Sequence, residues 1–353
     1  MAWTSNVIQR LAIACLLPLA MQVAGTESEV TGCETVGRVM GICGFPAPED
    51  IDVTPDGRYL VLSPFGGMSG EHPTPLYLFD PGISLATPIT PAVADKKVPW
   101  GDSDCNSPPD GKIASHGIHI SQRPGGEWQL LAVNHIREAV EFYALGENGG
   151  VPTLTWRGCA IAPPGSSLND VAALPGGGLL VSHMVDRDGP PLVAAMDATE
   201  NTGYLLRWLP GRGFDKLPGS DSIVPNGVAI SADGRYVFMS ETGGQQIRKI
   251  DYASGATVGL LKTGPVDNLS WAPNGSLVAT TTTGPMPANC FTQPGPCLAP
   301  FDVLEIDPDT MHATTLHQQQ GPPMGAASVA VVHSSGIYVG SFKGNQMMRI
   351  SLP

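Results

Sequence analysis

Residues 226–240 read NGVAISADGRYVFMS. A short apolar run, Val228-Ala229-Ile230, is followed by Asp233-Gly234 and a second apolar run from Tyr236 to Met239. Asp-Gly supplies the positive φ that a tight turn requires, so the stretch predicts a β-hairpin. The pattern recurs in EDIDVTPDGRYLVLS from Glu49, HGIHISQRPGGEWQLLAV from His116 and NDVAALPGGGLLVS from Asn169. It recurs again in DNLSWAPNGSLVAT from Asp267 and ASVAVVHSSGIYVGS from Ala327. The six starts lie about 40 to 70 residues apart, which is room for four strands per copy with loops of variable length. Six such units predict an all-β chain folded as a six-bladed β-propeller. A β-sandwich would not demand one hairpin motif six times.

Composition agrees. Gly 43 and Pro 34 in 353 residues suit many short strands joined by tight turns, and argue against a helical bundle. A hydrophobic fraction of 42% is ample for a core. The net charge of −13 argues against nucleic-acid binding, which wants clustered Lys and Arg. An acidic balance suits a carboxylate site that holds a cation. The apolar segment Val36 to Ile42 is expected to add a strand to the last blade, beside Met347 to Leu352, and so remove an exposed sheet edge. No linker splits the chain, so residues 26–353 are expected to form a single domain.

Residues 1–25 read differently. Arg10 precedes an apolar run from Leu11 to Leu17, and Val23-Ala24-Gly25 offers small residues for cleavage. This predicts a secretory signal peptide, too short to span a bilayer, and an exported protein, periplasmic or secreted, without stable membrane insertion. Ala12 stands where a lipoprotein box around Cys15 would want a larger aliphatic residue. The remaining six cysteines favour disulfides. Cys33 with Cys43 and Cys290 with Cys297 are the preferred local pairs, which leaves Cys105 with Cys159; six cysteines allow 15 pairings. No zinc spacing is present.

In a propeller the starts of the inner strands converge on the central channel. Here those starts carry Glu49 with Asp50, His116, Asn169 with Asp170, Asn226, and Asp267 with Asn268. Carboxylates mixed with amides offer the hard oxygen donors that Ca²⁺ takes, whereas zinc or copper would want His or Cys. Asp and Asn also start strands and cap turns for purely local reasons. Turn chemistry, however, does not require one offset in blade after blade.

The segments PEDIDVTPDG (from Pro48), SHGIHI (from Ser115), LLAVNH (from Leu130), LNDVAAL (from Leu168), PNGVAISADGRYVFMSE (from Pro225) and VDNLSWAPNG (from Val266) occur in order. Together they resemble the paraoxonase/arylesterase lactonases, in the wider group of six-bladed propellers that includes gluconolactonases and strictosidine synthases. The likeness runs from about Glu49 to the C-terminus. It implies a catalytic calcium held by Glu49, Asn169, Asn226, Asp267 and Asn268. It implies a second, structural calcium at Asp50, Asp170 and the backbone carbonyl of Ile118. It also implies an active-site histidine pair at His116 and His135. Paraoxonases tie their N- and C-terminal strands with a disulfide, whereas here no Cys follows Cys297. They also support the histidine pair with an acidic residue; the corresponding stretch here, LLVSHM, has His183 and Met184 there.

The expected chemistry is opening of a lactone, or hydrolysis of an aryl ester. Calcium would polarise the carbonyl, Glu49 would hold the metal, His116 would act as general base toward water, and His135 would orient it or pass the proton on. The partner is a small-molecule lactone or ester, with no obligate protein partner. A gluconolactonase-type sugar-lactone hydrolase is one rival, because that group shares the Glu, Asn, Asn, Asp set. An exported ligand-binding propeller with purely structural calcium is another. His119 reads as structural, and His183 as structural or as a substrate contact. The Pro-rich stretches Phe65 to Ser115 and Pro285 to Ala299 are expected as loops that shape the pocket. GGMSG at Gly66 to Gly70 lacks the second Gly spacing of a nucleophile elbow.

Overall fold

A computed structural model of the protein describes residues 1, 33–94, 100–287, 290 and 295–352. Apart from Met1, the expected signal peptide lies outside the described residues. So do parts of the two Pro-rich stretches.

Six antiparallel sheets form the blades. The first comprises Pro48–Val53, Leu60–Pro64, Tyr77–Asp80 and Leu85–Pro88. The second comprises Ser115–Gln122, Trp128–Asn134, Ala139–Asn148 and Val151–Ile161, with Ala92–Val93 added in parallel at its edge. The third has Leu168–Ala173, Leu179–His183, Tyr204–Leu209 and Gly213–Lys216. The fourth has Pro225–Ile230, Tyr236–Glu241, Gln246–Asp251 and Thr257–Lys262. The fifth has Val266–Trp271, Leu277–Thr282, Phe301–Ile306 and Ala313–Gln319. The sixth has Ala327–His333, Gly336–Ser341 and Gln346–Ile350. Each inner strand packs on the next one round, and the sixth packs on the first, so the ring closes. The protein is thus an all-β six-bladed propeller.

The turns form as their residues dictate. Gly57, Gly234 and Gly275 take positive φ of 67°, 72° and 86°. Asp56 and Asp233 each accept a hydrogen bond from the amide two residues on, at 3.1 and 3.0 Å. Closure uses the N-terminal segment. Val39–Cys43 pairs antiparallel with Gln346–Ile350, in register Val39 to Ile350 and Cys43 to Gln346. This strand pairing closes the ring where paraoxonases use a disulfide, and the Cys33–Cys43 bond pins the hairpin that supplies the strand. The other disulfides are Cys105–Cys159 and Cys290–Cys297, the pairs expected from spacing.

The core is divided among the seams between blades. Val61 and Leu78 of the first blade pack on Ile118 and Ala132 of the second. Phe79 and Leu60 pack on Tyr338 and Met347 of the sixth, sealing the closure seam. Each side chain so buried contributes roughly 1.5–3 kcal/mol relative to exposure. One expectation is corrected. The stretch Phe65 to Ser115 is not all loop, because the two outer strands of the first blade, Tyr77–Asp80 and Leu85–Pro88, lie within it. The described helix Leu192–Met196 is short, and among the described residues no helix is long and apolar enough to cross a membrane.

Candidate functional site

Every inner strand slips register at its first residues. The shifts fall between Pro48 and Asp50, Ser115 and Ile118, Leu168 and Val171, Pro225 and Val228, Val266 and Leu269, and Ala327 and Val329. A bulge bends the strand and re-aims the residues it contains. Those residues include Glu49, His116, Asn169, Asp170, Asn226, Asp267 and Asn268. The bulge is therefore the device that turns polar side chains inward at one end of the channel.

Serines of neighbouring strands grip this backbone. Ser328 Oγ donates to the Glu49 carbonyl at 2.6 Å, Ser240 Oγ to that of Asp267 at 2.6 Å, and Ser63 Oγ to that of His116 at 2.5 Å. Glycine fills the second bulge position where blades press closest. A Cβ on Gly227 would lie 2.7 Å from Asn268 Cα and 2.8 Å from the Asp267 carbonyl oxygen. Those are backbone atoms and cannot swing aside. Gly227→Ala should therefore destabilise the protein by about 1–3 kcal/mol through overpacking, with the Asp267–Asn268 pair displaced. Denaturant midpoints check this; an unchanged midpoint would show that the seam yields.

Five buried side-chain oxygens here lack any hydrogen-bond partner: Glu49 Oε2, Asn169 Oδ1, Asn226 Oδ1, Asp267 Oδ1 and Asn268 Oδ1. Orphaned buried polar atoms are rare in folded proteins and ask for an explanation. The amide nitrogens, by contrast, are used. Asn268 Nδ2 donates to Glu49 Oε1 at 2.9 Å, and Asn169 Nδ2 lies 3.2 Å from His116 Nε2 and 3.1 Å from Met184 Sδ. The Asn226 side chain interacts with the Asp267 carboxyl and works against the rise in its pKa. Asn169 and Asn268 thus turn their nitrogens to neighbours, and all three amides leave their oxygens free. Two carboxylates and three amide oxygens form a hard donor set that suits Ca²⁺. Among the described residues no group of three or more His, Cys, Asp and Glu has metal-holding geometry.

The electrostatics point the same way. Burial pushes the Glu49 carboxyl well up, and repulsion from Asp267, Asp50 and Asp170 adds to it. Burial raises Asp50 to about 8 and Asp267 to about 7. Such a cluster favours a bound cation.

Asp50 and Asp170 are placed differently. Asp50 Oδ2 accepts the Ile118 amide at 2.6 Å and Oδ1 the Ile51 amide at 2.8 Å. Asp170 Oδ2 accepts the Val228 amide and Oδ1 the Val171 amide, both at 2.7 Å. These carboxylates staple adjacent inner strands, and no orphaned oxygen marks a second ion there. Ile118 meets Asp50 through its N–H.

The histidine pair is assembled. His116 Nδ1 lies 2.9 Å from His135 Nε2. The Phe65 ring sits over His116 at 4.8 Å. Burial, with His135 beside it, holds the His116 pKa well below its usual value, so the ring is neutral. His116 Nε2 is also 3.7 Å from Glu49 Oε1. His135 follows the end of a strand, and its turn is fixed by Asn134 Oδ1, which accepts the Ile136 amide at 3.1 Å.

No acidic support for this pair is evident from the sequence alone. Glu138 supplies it, with Oε2 3.1 Å from His135 Nδ1. The only hint was the spacing His135-Ile136-Arg137-Glu138, which is uninformative until the turn is known. His183 and Met184 do other work. His183 Nδ1 accepts the Ser167 amide at 3.1 Å, and Nε2 meets Asp186 at 3.1 Å. His119 lies apart from the pair, with Asp52 at 4.0 Å.

Residues 139–265 match the SMP-30/Gluconolactonase/LRE-like region family. No curated protein matches the chain. Among solved structures, a gluconolactonase from Xanthomonas campestris superposes with a TM-score of 0.53 at 15% identity, over 89% of each chain. A luciferin-regenerating enzyme superposes with a TM-score of 0.53 at 14% identity, over 89% of this chain and 95% of the other. At such identities the likeness establishes the fold.

Proposed function

We propose that the protein is an exported, calcium-dependent hydrolase that opens lactones and also cleaves aryl esters. One observation carries the reading: five partnerless buried oxygens lie beside a histidine pair whose outer nitrogen faces Asn169. Glu49, Asn169, Asn226, Asp267 and Asn268 would hold the ion. Bound calcium would polarise the substrate carbonyl and stabilise the oxyanion.

The rest is done by side chains. Asn169 Nδ2 can only donate, so His116 Nε2 is the accepting nitrogen. His116 takes the proton of the attacking water on Nε2. Its Nδ1–H then faces His135 Nε2, which can receive that proton in turn. Phe65 shields one face of His116 from water. A second calcium at Asp50, Asp170 and the Ile118 carbonyl remains part of the reading. It has less support, because those carboxylate oxygens already accept amides. The three disulfides support an oxidising compartment and hence export.

A gluconolactonase-type activity is the second reading, favoured by the family match over 139–265, which contains Asn169 and Asn226. A substrate panel separates the two. The expected result is chelator-sensitive turnover of an aliphatic γ- or δ-lactone and of phenyl acetate. Turnover of glucono-lactone alone would select the second reading. No turnover of any, with calcium still raising the melting temperature, would leave a metal-stabilised binding propeller.

A further inference from the structure

The hydrogen bonds around the histidine pair run in one direction. Asn169 Nδ2 is a donor only, so His116 Nε2 must accept. His116 Nδ1 is then protonated and donates to His135 Nε2. His135 Nδ1 is protonated in turn and donates to Glu138 Oε2. The chain ends on a carboxylate that accepts the Leu168 amide and pairs with Arg187. Four residues from two blades and one turn therefore share a single polarity.

The Glu138 carboxylate is itself held on several sides. Oε1 accepts the Leu168 amide at 2.5 Å, one residue before Asn169. The Arg187 guanidinium pairs with Oε2. Arg187 reaches it from the loop after the Leu179–His183 strand, where its own amide donates to the Gly165 carbonyl at 2.8 Å. The Glu138 carbonyl accepts the Ala162 amide at 3.0 Å. Glu138 also sits at a φ of 47°, a backbone conformation that non-glycine residues rarely adopt. Strain of this kind persists where surrounding contacts over-determine it, as they do here.

We propose that Glu138, paired with Arg187, is the positioning residue that, with Asn169 at the other end of the chain, holds His135 and His116 in the tautomers that leave His116 Nε2 free of a proton. Its place in the reaction rests on the hydrolase reading above. The role falls to a side chain three residues after His135, in the turn itself, rather than to the strand that carries His183 and Met184.

Glu138→Gln tests it, because a Gln amide nitrogen turned toward His135 Nδ1 can donate there, and the chain reverses once the Asn169 amide turns its oxygen to His116 Nε2. The reversed chain puts the proton on His116 Nε2, where it blocks base catalysis. Two readouts are expected in the full-length protein: the spectra without calcium, where the Asn169 oxygen is free to turn, and the kinetics with it. Histidine ¹⁵N spectra should change from Nδ1–H to Nε2–H tautomers for both rings. The kcat for the best lactone should fall about 10–100-fold, as supporting residues of a site typically cost, with KM within about threefold. Glu138→Asp should keep the native tautomers and recover part of kcat, which guards against a folding artefact in the Gln variant. Unchanged tautomers and unchanged kcat in Glu138→Gln would overturn the proposal. Absence of lactone turnover in the wild type would overturn the hydrolase reading instead. The tautomer spectra would then decide alone whether Glu138 positions the pair.

Discussion

Asn226→Ala should cut lactone turnover by about 10–100-fold or more at saturating calcium, because it removes one oxygen from the proposed ion site. It should do so without unfolding the propeller. Asn226 is 6% exposed, and its Oδ1 has no hydrogen-bond partner. Removing an orphaned oxygen relieves a desolvation cost, which offsets the loss of the amide's interaction with the Asp267 carboxyl. The metal-free melting temperature should therefore move little, while the calcium-induced rise shrinks. That is the opposite of an ordinary buried Asn, whose removal weakens the protein with or without metal.

His116→Ala gives the complementary result. Its turnover should fall about 10²–10⁴-fold, the range for a lost general base, with the calcium-induced rise in melting temperature retained. The two variants together separate metal binding from proton transfer. Turnover within about threefold of wild type in Asn226→Ala would show that the five oxygens are not the reacting site.

Calcium removal should also change how stability depends on pH. In the metal-free protein Asp50 is raised to about 8, and Asp52 and Asp267 to about 7, each chiefly by burial. In the unfolded chain all three titrate near 4. Between about pH 4 and 8 the folded state thus holds protons that the unfolded state has released. Stability of the metal-free protein must fall as pH rises through that window. Calcium binds the ionised form, so its contribution grows in the same direction. At 100 times its Kd it would add about 2.7 kcal/mol, a rise of about 4 °C in melting temperature for a chain of this size. The gap between calcium-loaded and chelated protein should be widest near pH 8 and nearly closed near pH 5. Parallel curves with calcium and with chelator would contradict a carboxylate-held cation.

Much of this was legible in the chain. The turn pairs Asp56-Gly57, Asp233-Gly234 and Asn274-Gly275 announce their hairpins, because left-handed φ at the glycine is a local demand. The repeat of one hairpin motif gave the blade count. The offset of Glu49, Asn169, Asn226 and Asp267 from their hairpins placed them at the channel. Cysteine spacing picked out the pairs that form.

Other features were not legible. Asp50 and Glu49 are neighbours of similar chemistry. Yet Asp50 accepts the Ile118 amide of the next blade, while Glu49 keeps an oxygen without a partner. Glu138 looks like any turn carboxylate until the turn brings it to His135 and Arg187 arrives from 49 residues away.

Sequence alone determined the blades, their turns and the positions that face the channel, because strand period and turn φ are properties of a few adjacent residues. Tertiary structure decided which oxygens are left without partners, which carboxylates staple neighbouring strands, and which acid orients the histidines. Those outcomes depend on the register between blades and on the bulge at each inner strand. Both are set by packing between segments some 50 to 70 residues apart, and no local pattern encodes it.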